Sequence, residues 1–213
     1  MTLSDSQIDR YSRQIVLPEI GSRGQERLLA SRVAIRGGGD AALVCASYLA
    51  GAGVGGLGLR DVGASGAVGE LLGFTGTETA ALSDALARRN PDCRPLAEAA
   101  GPPAVIVSIG ASIPDEFPAE SAVVWGAAEE AALVRVHFPA GTACAPCLRS
   151  AFPPGSVEGE AAFLLGSLLA VDALRVLLGL SRESRPSMLR LDLSRGVPAS
   201  AAIPALAGCK RCQ

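Results

Sequence analysis

RVAIRGGGDAALVCASYLAGAGVGGLGLRD, running from Arg32 to Asp61, is the stretch whose reading decides the fold. Arg32 to Arg36 is a short apolar strand that runs straight into Gly37, Gly38 and Gly39. Asp40 to Gly53 reads as a helix, with Leu43, Ser47 and Ala50 on one face and Gly53 ending it. Gly55 to Asp61 is a second strand with an acid at its end. Strand, glycine turn, helix, strand and acid is the layout of a nucleotide-binding βαβ unit. Glycines permit a tight turn and close approach of backbone to phosphate, and the helix N-terminus offers free N–H groups to the anion. Gly37 and Gly39 are the candidate phosphate-loop residues and Ala42 takes the third position. Asp61 is the candidate ribose acid, 24 residues after Gly37. Asp40 is discordant: its carboxylate can cap the helix, yet it would repel a triphosphate in the same nest. A glycine turn kept only for packing stands as the alternative.

Working outward, Ser4 to Leu29 is a helix-rich, charged arm. Gly63 to Gly76 is glycine-rich and irregular, and Thr77 to Arg89 is a helix stopped by Asn90-Pro91. Ala104 to Ile109 and Ala122 to Trp125 are buried strands, and Leu133 to Phe138 is another. Glu160 to Leu180 is a long apolar helix, with Asp172 and Arg175 expected on its outer edge. Met188 to Leu193 is a last strand. The alternation implies an α/β fold: Rossmann-like βαβ units with a mostly parallel sheet, continuing into antiparallel strands and a four-cysteine zinc site. The expected organisation is one domain over 1–213. It divides into an N-terminal helical arm at 1–30, a nucleotide-binding-type region at 31–126 and a zinc-stapled region at 127–213.

Composition narrows the function. The 213 residues carry 19 basic and 21 acidic side chains, for a net charge of −2. With no basic excess, nucleic acid is not an expected partner. Ala41 to Leu59 is uncharged, but the five glycines between Gly51 and Gly58 argue against a membrane span. The polar start, MTLSDSQIDR, carries no export signal, so the expected location is cytoplasmic. Lys210 is the only lysine and Asn90 the only asparagine.

Four of the six cysteines form two CxxC pairs, Cys144–Cys147 and Cys209–Cys212, with 61 residues between them. Two thiolates spaced in this way bind one face of a tetrahedral zinc ion, and a second pair completes the site. A closed site of four thiolates leaves no open position for substrate, so its expected role is structural. A disulfide framework is the alternative that the missing export signal disfavours. A redox CxxC is a second alternative, but such motifs open a helix after a strand, a context not evident here. Cys45 reads as core packing and Cys93 as the start of a strand.

The segments RYSRQIVLPEIGSRGQERLLASRVAIRGGG (Arg10 to Gly39), YLAGAGVGGLGLRD (Tyr48 to Asp61), ARRNPDCRP (Ala87 to Pro95), LLGSLLAVDALRVLLG (Leu164 to Gly179) and the terminal GCKRC together resemble ThiF/MoeB/HesA proteins. These are bacterial relatives of ubiquitin-activating enzymes. The resemblance implies ATP and magnesium as cofactors. It implies adenylation of the C-terminal Gly-Gly of a small ubiquitin-fold sulfur carrier, and a homodimer. On this chain it places the family's arginine, which reaches the other subunit's nucleotide, at Arg13. It supports Gly37 and Gly39 in the phosphate loop, Asp61 on the ribose, and the four cysteines on zinc.

The resemblance also implies residues that this chain lacks. Where the family has a second acid and then Ser-Asn-Leu-x-Arg-Gln, the chain reads VGASGAVGELLGFTG. The family's catalytic lysine has no counterpart, and its magnesium-binding aspartate falls at about Gly110, with Asp115 and Glu116 out of register. No catalytic residue is therefore assigned and ATP with magnesium is doubtful. The expectation is a degenerate, zinc-stabilised, homodimeric binding protein whose partner is a ubiquitin-fold carrier or an active paralogue. An active, diverged adenylyl- or sulfurtransferase is the alternative, supported by Arg13, the glycines and Asp61. A nicotinamide-dependent oxidoreductase is a third reading. It lacks a catalytic acid or base, because the only histidine, His137, reads as structural.

Overall fold

The computed structural model describes residues 2–62, 67–74, 79–96, 101–129, 132–151, 157, 159–201, 203 and 208–209. The chain opens with two helices, α1 (Asp5–Ile15) and α2 (Gly21–Ala30). Ser4 caps α1 through a reciprocal capping box with Gln7. Then follow β1 (Arg32–Arg36), α3 (Gly39–Gly51), β2 (Gly56–Arg60), a short α4 (Ala67–Leu71), α5 (Thr79–Arg89), β3 (Arg94–Pro95) and β4 (Val105–Ile109). The second half holds β5 (Ala122–Glu129), β6 (Ala132–Phe138), α6 (Ala145–Ala151), α7 (Gly159–Leu177), β7 (Ser187–Asp192) and β8 (Val197–Ala201).

All eight described strands form one sheet in the order β3-β2-β1-β4-β5-β6-β7-β8. β1 to β5 run parallel, and β6, β7 and β8 are added antiparallel. The expected fold class is therefore the observed one. β4 is buried at every position, as a parallel strand covered on both faces must be. On one face the core runs through Val33, Ile35, Val107 and Val124 to Leu43 and Leu49 of α3 and Leu165 and Leu169 of α7. On the other, Trp125 packs with Val136, Phe138 and Leu148. α3 and α7 touch backbone to side chain: a Cβ on Gly166 would lie 2.4 Å from the Ala41 carbonyl oxygen. Only glycine fits there.

Some expectations need correcting. Asp172 is not on an outer edge but buried, 6% exposed. It falls in the stripe of Leu165, Leu169 and Val176, which helical spacing turns toward the sheet. The irregular segment after Asp61 contains the helical turn α4. β8 had no counterpart in the sequence reading, because VPASA lacks the alternation of a half-buried strand; all five of its residues are exposed.

α1 is clasped to the βαβ unit. Tyr11 is buried, its hydroxyl donating to Asp92 at 2.9 Å and accepting from Asn90 Nδ2 at 2.9 Å. Asn90 Nδ2 also donates to the Ala50 carbonyl, at the far end of α3. Arg10 pairs with Asp92 at 3.3 Å. Burial pushes the Tyr11 phenol up to about 12, beyond what its hydrogen bond from Asn90 offsets.

Candidate functional site

The glycine loop lies where β1 ends, between β2 and β4, at the point where the strand order turns back on itself. Such switch points are where open α/β sheets bind ligands. Gly37, Gly38 and Gly39 have φ of 70°, 87° and 47°, a run that side chains resist. The Gly37 N–H is committed to the Arg60 carbonyl at 2.9 Å. That bond brings Gly37 beside Asp61, which is exposed and itself left-handed with φ of 52°. Gly37, Gly39 and Asp61 thus share one edge, as the βαβ layout requires.

What surrounds the glycines is protein. A Cβ on Gly37 would stand 2.4 Å from Ser112 Cβ, and one on Gly38 would stand 2.5 Å from Ile109 Cγ2. The close approach that demands glycine is therefore to the chain that leaves β4. Asp40 occupies the first turn of α3 and its Oδ1 accepts the Gly69 N–H of α4 at 3.0 Å. A fixed carboxylate already serves the positive end of the helix dipole. A triphosphate at this terminus would meet that charge, which opposes its binding.

The position of the expected metal acid is equally specific. Gly110 has φ of 63°, donates to Gly126 and accepts from Trp125 Nε1 at 3.0 Å. Asp115 is drawn off to Arg149 at 3.2 Å. Arg36, at the end of β1, keeps its Nε buried without a hydrogen-bond partner.

Arg13 is not brought to this edge. It is exposed on α1, and the Tyr11–Asn90–Ala50 clasp holds α1 against the C-terminal end of α3. The 13 residues of α3 separate that end from the glycines by about 20 Å, beyond an arginine's reach.

The second candidate site is built from sulfur. Cys144, Cys147 and Cys209 are buried, and their Sγ atoms all lie within 4.8 Å of one another. Cys144 and Cys209 are 3.6 Å apart. Thiolates bound at ~2.3 Å to one tetrahedral ion sit about 3.8 Å apart, whereas a disulfide closes to ~2.05 Å. The cluster fits a metal ion and not a bridge. Cys212 lies outside the described residues. The sequence expectation about context was wrong in one respect: CAPC does open a helix, since α6 begins at Ala145. The third thiol, from a segment beyond β8, is what separates this arrangement from a two-cysteine redox motif.

Cys45 and Cys93 are buried, and burial pushes both thiols up, Cys93 to about 11. Neither is poised for chemistry. Sequence reasoning missed a buried polar cluster beneath α7. Arg135 Nε meets Asp172 Oδ2 at 2.5 Å, and Arg175 reaches Asp172 Oδ1 at 3.5 Å. His137 Nδ1 bonds Glu183 Oε2 at 2.7 Å. The available signal was the alternation in ALVRVHF, which puts Leu133, Arg135 and His137 on one face.

Comparison with known proteins agrees with this fold. The ThiF family model matches residues 11–64. The pig adenylyltransferase and sulfurtransferase MOCS3 (Sus scrofa) is 31% identical over 234 residues, covering 92% of this chain and 50% of that protein. The SAMP-activating enzyme E1 of Haloferax volcanii is 46% identical over 61 residues, 29% of this chain and 23% of that one. This chain therefore spans about half the length of the relative it matches most fully of these two. Among solved structures, E. coli MccB with ATP superposes with a TM-score of 0.71 at 17% identity, covering 99% of this chain and 75% of that one. PaaA does so with a TM-score of 0.65 at 18% identity, covering 95% and 84%. These two are likenesses of fold.

Proposed function

From the premise that the chain belongs to the ThiF family, we propose that it is a metal-stapled binding module. On this reading it engages a small ubiquitin-fold carrier protein, or an active paralogue, without adenylating it. The observation that carries the reading is the N-terminus of α3. The place for a triphosphate is taken up by Asp40, tied to Gly69, over glycines packed on Ile109 and Ser112. The sequence supports it: the only lysine is Lys210, and Gly110 stands where the resemblance puts a metal acid. Losing one preorganised charge from a transition state costs ~3–4 kcal/mol, and the losses here coincide.

The proposal includes a zinc site of four thiolates, from Cys144, Cys147, Cys209 and Cys212, since an all-sulfur set with this spacing suits zinc. It includes a homodimer and a cytoplasmic setting. A half-exposed apolar strip of Tyr48, Phe163 and Val171 across α3 and α7 supports self-association. In a dimer, Arg13 would act on the second copy, as it cannot reach its own glycine loop. Among the described residues no helix is long and apolar enough to cross a membrane.

An active, diverged adenylyl- or sulfurtransferase is the second reading. It is favoured by the identity to MOCS3 across most of the chain and by the unpartnered Arg36 Nε beside the loop, a donor suited to an anion. ATP–pyrophosphate exchange in the presence of ubiquitin-fold carriers ending in Gly-Gly separates the two. The binding-module reading expects exchange at background, with carrier retained on the immobilised chain. Exchange above background would establish the enzyme instead.

A further inference from the structure

The face of the parallel sheet that looks away from α3 is thinly covered over β1, β2 and β3. The register pairs Arg32 with Gly56, Ala34 with Gly58 and Arg36 with Arg60, and it pairs Gly56 with Arg94. Residues alternate between the two faces along each strand, so these positions share one face. The other face carries Val33, Ile35, Leu57 and Leu59 into the core. Parallel sheets are ordinarily covered by helices on both sides. Here the crossover from β3 to β4 has only residues 96–104, fewer than the dozen or more that such a connection usually takes. Its Leu96 lies against Gly56 and Gly58, where added Cβ atoms would stand 2.7 Å and 3.4 Å from it. Ala34 and Gly58 stay partly exposed.

This floor of small residues is rimmed by positive charge. Arg94 and Arg32 flank Gly56 from the two neighbouring strands, about 10 Å apart at the backbone. Arg36 and Arg60 stand side by side four residues further along, about 13 Å away. Arg60 and Arg94 are exposed, and Arg32 and Arg36 partly so. Arg32 donates to the Pro102 carbonyl through one terminal nitrogen, at 3.3 Å. Arg94 has no hydrogen-bond or ion-pair partner among the described residues. The three strands hold no acidic residue, and the crossover adds one, Glu98, against the four arginines.

We infer that this face docks an extended acidic segment of a partner protein, whose carboxylates pair with Arg32, Arg36, Arg60 and Arg94 while a small side chain between them lies over Gly58. Guanidinium and carboxylate match in a planar, two-point geometry. In an extended segment, side chains four residues apart point the same way and span about 13 Å. That is the distance between the Arg32–Arg94 row and the Arg36–Arg60 row. Single-stranded nucleic acid is the weaker fit. Such strands are held by aromatic side chains that stack on the bases, and none stands on this face of the three strands; nor does the chain as a whole carry a basic excess. The inference does not depend on what the glycine loop binds.

The probe is a fluorescein-labelled ten-residue peptide of alternating glutamate and alanine, titrated with the full chain and followed by anisotropy. The same peptide with glutamine for glutamate, and an oligothymidylate of equal net charge, are run beside it. The expected result is saturable binding of the glutamate peptide alone, with amide shifts at Ala34 and Gly58 in nitrogen-15 spectra. Arg94→Gln should weaken binding about threefold, and Arg60→Gln combined with Arg94→Gln at least about tenfold, at an unchanged melting temperature for Arg94→Gln. Arg195→Gln removes the same charge from the exposed turn between β7 and β8 and should leave the affinity as it was. No saturable binding, equal binding of the glutamine peptide or of the oligothymidylate, or a loss in Arg195→Gln as large as in Arg94→Gln would overturn it.

Discussion

The parallel half of the sheet and its antiparallel half are built on different kinds of information. From β1 to β5 the decisive features are backbone: three successive left-handed glycines, a Gly37–Arg60 bond, and a central strand, β4, buried on both faces. From β6 onward they are side chains: three thiols, an Arg135–Asp172 pair and a Glu183–His137 pair. The difference teaches where a fold can lose chemistry. Backbone features keep a βαβ unit standing whatever the loop binds, whereas buried thiols and charges have no substitute once one partner goes.

The largest expected effect lies in the antiparallel half. A structural zinc contributes ~10–16 kcal/mol of apparent binding energy, against a typical stability of ~5–15 kcal/mol. Cys144→Ser should abolish stoichiometric zinc and unfold at least the segments joined at the cluster, read by metal analysis and thermal melting. An unchanged melting temperature would remove the staple from the account. Next is Asp172→Ala, which strands Arg135 in the core and should cost ~3–5 kcal/mol in urea denaturation. Pairing it with Arg135→Met should recover most of that loss. Burial pushes Asp172 up despite Arg135 and Arg175, so an isolated charge here is poorly tolerated.

The parallel half should respond to shape. Gly38→Ala sets a Cβ against Ile109 at a φ of 87° and should cost ~1–3 kcal/mol. The account expects this loss equally with and without ATP, since the contact is to protein. A penalty appearing only with nucleotide would reverse that assignment.

Two smaller effects sharpen the contrast. Burial works to raise Glu183, but the Ser187 and His137 bonds together with the nearby Arg135 and His137 charges hold it below its ordinary value. The unfolded chain therefore takes up this proton first on acidification. The stability it contributes is present above the ordinary carboxylate value and is lost as pH falls through the lower, folded one. Glu183→Gln should flatten that acid limb in pH-dependent melting. Asp40→Asn removes the charge at the start of α3, and a charge there is worth ~0.3–1 kcal/mol. Phosphate-type anions should then bind the loop only a few-fold better, as an anion-competition titration would show.

Much of the parallel half was legible because its signals are local. RVAIR, the glycines and the apolar helix specify a βαβ unit within one window, and the structure places its elements within a residue or two of that reading. The cysteine pairs were legible by spacing, though Cys212 lies outside the described residues. What escaped depends on tertiary pairing. Asp172 looked solvent-facing beside Arg175; helical spacing turns it inward, but the partner that balances its charge, Arg135, arrives only with β6. His137 read as structural, and its partner Glu183 is brought to it by the loop after α7. Asp40 looked like a cap, and its tie to Gly69 is set by the fold of α4.

The central claim is that the nucleotide cradle persists as architecture without its ligand. Calorimetric titration of the purified chain with Mg-ATP tests it most directly. No saturable heat up to millimolar nucleotide is the predicted result, and saturable binding in the micromolar range would contradict it.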